Sequence, residues 1–119
     1  MSYSVYIYHR SVKAKVEQGL ELDAFEHEAI PQADMARFLE RLAKYGYRKE
    51  ASSGVSTEFV KDVAGCPVQV AVFATEIAFS VPYWKHSPEA IAEALQDASE
   101  LSDSEATVLF NPQTDGWAE

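Results

Sequence analysis

The sequence predicts an α+β fold: a single, mostly antiparallel sheet of about five strands with two main helices on one face. Two observations carry this. Apolar residues alternate with period two in several short segments between Tyr3 and Phe110, and recur every three or four residues in two longer segments. In addition, none of the 119 residues falls in an internal repeat, a low-complexity tract or a linker rich in Gly, Ser or Pro. A chain of this length suits one domain, expected to span residues 1–119.

The elements follow in order. Tyr3–His9 sets Tyr3, Val5 and Ile7 against Ser4, Tyr6 and Tyr8, as in a central strand. Ser11 can cap a short helix over Val12–Gln18 that Gly19 ends, and Leu20–Ile30, with Glu21, Asp23, Glu26 and Glu28, reads as a loop. In Pro31–Tyr45, Met35, Phe38, Leu39, Leu42 and Tyr45 form one apolar stripe, with Gly46 as the stop. Val55–Val63 and Val68–Ala74 read as strands joined at Ala64-Gly65-Cys66-Pro67. The apolar phase then slips by one: Val68, Val70 and Val72 share one parity, whereas Ile77, Phe79 and Val81 share the other. The slip predicts a hairpin at Thr75-Glu76 leading into a strand that ends near Tyr83. Ser87 and Pro88 open a helix that buries Ile91, Ala94, Leu95, Ala98 and Leu101, and Ala106–Phe110 is a last strand closed by Asn111-Pro112. With the short helix set aside the order is βαβββαβ, that of a ferredoxin-like variant with an added strand.

Nineteen acids against ten bases give a net charge of −9, opposite in sign to a surface that neutralises phosphates, so nucleic acid and anionic membranes are excluded as partners. The excess is uneven. From His86 onward stand Glu89, Glu93, Asp97, Glu100, Asp103, Glu105, Asp115 and Glu119, without one Lys or Arg. The longest apolar run, Val70–Ala74, is too short for a membrane span, the N-terminus lacks signal-peptide features, and Cys66 is the only cysteine; these point to the cytoplasm.

Enzyme chemistry finds little footing. There is no G-x-S-x-G elbow, and Cys66 has no basic neighbour in sequence. His9, His27 and His86 are widely spaced, and side chains diverge along Glu26-His27-Glu28, so no metal site is expected. The five glycines are scattered, which excludes a phosphate-cradling loop. The expectation is a non-enzymatic protein with no cofactor and no metal; a reaction at His27 with Glu26 or Glu28 is the minor reading.

A binding surface is better supported. Glu89, Glu93, Asp97 and Glu100 recur at helical spacing and are expected to form one exposed ridge without a cationic partner. Tyr83, Trp84 and Trp117 lie close in sequence to this ridge or to the acidic tail, and aromatic anchors inside a charged rim are how tight protein interfaces are built. The partner expected is a basic protein. The loop acids Glu21, Asp23, Glu26 and Glu28 form the alternative contact surface.

Three segments also carry a resemblance: Ser2-Tyr3-Ser4-Val5-Tyr6-Ile7-Tyr8, the strand Ile77–Trp84 leading into an acidic helix, and Val108-Leu109-Phe110-Asn111-Pro112-Gln113, with Asn111 where Asp is usual. Together they resemble small bacterial immunity proteins of secreted toxin systems. The resemblance implies an inhibitor that binds one cognate toxin and occludes its active site, and it implies no catalytic residue. The alternative is a small-molecule-binding or regulatory ferredoxin-like domain with Tyr6, Tyr8, Phe79 and Tyr83 lining a pocket on the open sheet face.

Overall fold

The computed structural model of the chain describes residues 2–22, 24–63, 65–82, 88–102, 106–112 and 116–118. Among these the elements are β1 (Ser2–His9), α1 (Arg10–Glu17), α2 (Gln32–Lys44), β2 (Arg48–Ser52), β3 (Thr57–Val63), β4 (Cys66–Val72), β5 (Glu76–Pro82), α3 (Pro88–Leu101), β6 (Thr107–Asn111) and β7 (Gly116–Ala118). The α+β class holds, with one antiparallel sheet, but the sheet has seven strands where about five are expected from the sequence. The two additions lie at its edges, in the order β2-β3-β4-β5-β1-β6-β7. Every residue of β2 is exposed, so it has no apolar alternation to betray it, and β7 is only three residues long.

The hairpin at the phase slip is present. Phe73 donates its backbone N–H to the Glu76 carbonyl at 2.8 Å, and β4 and β5 run antiparallel with Val72 opposite Ile77 and Val70 opposite Phe79. Residues of opposite parity thus face each other and share the buried face of the sheet, which is why the apolar pattern had to slip. Smaller corrections concern boundaries. His9, not Ser11, caps α1, its Nδ1 accepting the Ser11 N–H at 3.1 Å. The strand expected from Val55 begins at Thr57, because Ser53 accepts from Ser56 through Oγ and closes a turn that leaves Val55 77% exposed. Gly19 and Gly46 end α1 and α2 at φ of +101° and +96°, a region that favours glycine.

Val5, Ile7, Val68, Val70, Val72, Ile77, Phe79, Val81 and Leu109 form the buried face of the sheet. Phe38 and Leu42 of α2 and Ala90, Ala94, Ala98 and Leu101 of α3 cover it. The alanine row lets α3 sit close to the strands. α3 is therefore rotated from the expected setting: Ala90 and Asp97 are buried, whereas Ile91 and Leu95 are half-buried at its margin. Among the described residues no helix is long and apolar enough to cross a membrane.

Candidate functional site

The acidic ridge of α3 is not unopposed, which corrects the reading of its spacing. Lys61 lies opposite Val68 in the β3–β4 register, so its side chain rises from the helix-covered face of the sheet. Its Nζ is 2.7 Å from Asp97 Oδ2, 2.8 Å from Glu93 Oε2 and 3.0 Å from the Tyr45 carbonyl, and stands 4.6 Å from the centre of the Tyr47 ring. The buried Tyr47 hydroxyl donates to Asp97 Oδ2 at 2.9 Å. The i,i+4 spacing that aligns Glu93 and Asp97 on one helical face is what brings both carboxylates to a single ammonium. Of the ridge, Glu89 and Glu100 are exposed, and the Glu100 carbonyl accepts from Arg41 at 3.2 Å.

Burial, then the charge of Asp97 and its hydrogen bond, push the Tyr47 hydroxyl far above its ordinary 10.0. Burial pulls Lys61 down, but the bonds to Asp97 and Glu93 outweigh it and leave the ammonium above its ordinary 10.5. Both groups therefore keep their protons in the folded chain at a pH where the unfolded chain sheds them. Stability is expected to hold up to about pH 10 and to fall as pH rises further, because the unfolded state then binds fewer protons. Urea titrations from about pH 8 to 11 check this, and Tyr47→Phe should flatten the alkaline slope.

Trp117 sits elsewhere. Its ring lies 4.6 Å from that of Phe110 and 6.2 Å from that of Tyr8, on the sheet face opposite α2 and α3. The ridge and Trp117 are thus separated by the thickness of the sheet and do not form one surface. Tyr6 stacks on Tyr8 at 5.9 Å, His27 meets Tyr8 edge-on at 5.1 Å, and Phe25 packs on His27 at 5.2 Å. The loop thereby folds back onto the open face at its Tyr8 end. It is held by His27 Nε2, 2.7 Å from the Leu22 carbonyl, and by His9 Nε2, 3.3 Å from Glu28 Oε2. Glu21, Glu26 and Glu28 are exposed along this loop. Lys15 lies 5.2 Å over Phe25, so one flank of the aromatic group carries a cation. Of the anchors expected from the sequence, Trp117 shares the neighbour Tyr8 with the loop residue His27 and does not lie beside α3. Tyr83, Trp84 and Asp23 lie outside the described residues.

The strand registers reveal a feature that no spacing in the sequence shows. Trp117, Phe110, Tyr6, Ala78, Ala71 and Glu58 stand opposite one another in turn, one residue per strand, in a row that crosses the open face at right angles to the strands. Three aromatics form one end, two alanines the middle and a carboxylate the other end. At a strand spacing of about 4.8 Å, Tyr6 and Glu58 are roughly 14 Å apart. Around the alanines is a shallow depression of about 100 Å³, lined by Glu50, Glu58, Gln69, Ala71, Ala78 and Ser80. Its one trace in the sequence is the alternation of small with large residues in β5.

The same registers break up the pocket suggested for a small ligand: Phe79 faces the core, 1% exposed, on the side opposite Tyr6 and Tyr8. Cys66 is buried, and among the described residues no three His, Cys, Asp or Glu side chains converge. No protein-family model and no curated protein matches the chain.

Proposed function

We propose that this chain is a non-enzymatic binding protein that captures a basic protein partner, acting as an immunity protein that occludes a cognate toxin. The observation that carries the reading is the way its charges are partitioned. On the open sheet face the charged side chains at the register positions and around the depression are Glu50, Glu58, Asp62 and Glu76 against Arg48, which lies 3.7 Å from Asp62, and Lys15 stands over Phe25 at the aromatic flank. Cations of the helix layer are engaged within the fold: Lys61 by Glu93 and Asp97, Arg37 by Asp34, Lys44 by Glu40. A surface depleted of cations in this way steers a basic partner and rejects an acidic one. A ferredoxin-like arrangement is part of the proposal. It is supported by the inner order β4-β5-β1-β6, in which β5 and β6, joined through α3, bracket β1.

Co-expression with any toxin domain encoded beside the gene for this chain tests the function. Host survival and a complex whose association slows steeply with added salt are the expected results. A neighbouring toxin domain that neither binds nor is neutralised overturns the proposal. The exposed α3 acids are expected to be minor contributors: Glu89→Lys with Glu100→Lys should leave the melting temperature unchanged. Asp97→Lys, by contrast, should destabilise the fold, because it puts a second ammonium beside Lys61.

A further inference from the structure

We propose that the open sheet face is the docking surface and that its occupant is an extended, arginine-bearing segment of the protein partner, laid along the row from Trp117 to Glu58. This rests on the reading of the chain as a binder of a basic protein, and deepens it by naming the surface and the chemistry it selects. α2 and α3 pack on the other face, and on this one the loop meets the sheet at Tyr8. Tyr6, Phe110 and Trp117 are only half-buried, and Glu58 and Gln69 are exposed.

Charge complementarity makes the occupant cationic, and the aromatic end makes it arginine rather than lysine. A guanidinium lies flat on an aromatic ring and also forks onto a carboxylate, whereas an ammonium is a hydrated point charge. Spacing agrees with an extended segment. At about 3.3 Å per residue, the roughly 14 Å from Tyr6 to Glu58 corresponds to four residues, an even number, so side chains at i and i+4 point to the same side. One arginine can therefore stack at Tyr6 while the other reaches Glu58 and Glu50. Ala71 and Ala78 leave the intervening floor low enough for the chain to cross.

The test is a nuclear magnetic resonance titration of the full ¹⁵N-labelled chain with octa-arginine and, separately, octa-lysine at low salt. Octa-arginine is expected to bind roughly fivefold or more tightly than octa-lysine. Its perturbations should centre on the amides of Glu58, Ala71 and Ala78 and on the Trp117 indole. Tyr6→Leu should erase the preference for arginine, Glu58→Gln should weaken both peptides several-fold, and Glu89→Gln should change neither. Equal affinities, perturbations centred on α3 or on the Glu21–Glu28 loop, or no binding overturn the inference. The two readings fail separately. A cognate toxin still neutralised by the Tyr6→Leu, Glu58→Gln double variant leaves the function standing and removes this surface. Peptide binding as described with no toxin neutralised leaves the surface standing and removes the immunity role.

Discussion

Lys61→Met is expected to destabilise the fold by about 3–5 kcal/mol, because it leaves the buried Asp97 carboxylate without its cation. The Lys61 and Asp97 side chains are only 12% and 7% exposed, so water cannot take over the lost contacts without α3 lifting from the sheet. Tyr47 still donates to Asp97, but one neutral hydrogen bond does not replace an ion pair. Removing the whole network is different: Lys61→Met with Asp97→Leu and Tyr47→Phe should recover more than half of the loss, since the apolar replacements need no solvation and the Tyr47 hydroxyl is not left without its acceptor. Urea denaturation of the two variants measures this. If Lys61→Met alone loses less than about 1 kcal/mol, the network is solvated and behaves as a surface ion pair.

Phe79→Ala should cost a similar amount, about 3–5 kcal/mol, for a reason free of charge. Phe79 is 1% exposed, lies opposite Val5 on one side and Val70 on the other, and meets the Tyr47 ring edge-on at 6.1 Å. Truncation leaves a void under α3 that strands held on both sides cannot collapse to fill. Phe110→Ala is the control. That ring is half-buried on the open face, and its loss should cost clearly less in a urea melt while diminishing partner binding.

Most of the secondary structure was legible because burial imposes a period. Val68–Val72 and Ile77–Val81 showed their strands and even the turn between them, and the stripe from Met35 to Tyr45 showed α2. Arg48–Ser52 was invisible since an edge strand exposed throughout has no face to hide. The site was harder for a related reason. Spacing along α3 correctly placed Glu93 and Asp97 side by side, but only the long-range pairing of β3 brings Lys61 beneath them. The row from Trp117 to Glu58 draws one residue from each of six strands, and its members become neighbours only through register. Trp117 was grouped with the acidic helix on sequence proximity, but register sets it on the other face of the sheet, against Phe110 and Tyr8.

The central position of β1 has a consequence for how the molecule comes into being. Ile7 pairs with Ile77 on one side and Leu109 on the other, so β1 meets its first partner about 70 residues further along the chain and its second about 100 residues further. The successive hairpins of β2 to β5 need only near neighbours and can assemble during synthesis. Addition of the Ser2–His9 segment to β5, and of β6 to it, is then a late, non-local event, which makes folding slow for a chain of this size and leaves an apolar strand exposed to premature association. A host that makes this protein quickly must therefore keep that strand apart from its copies until β5 and β6 have been translated.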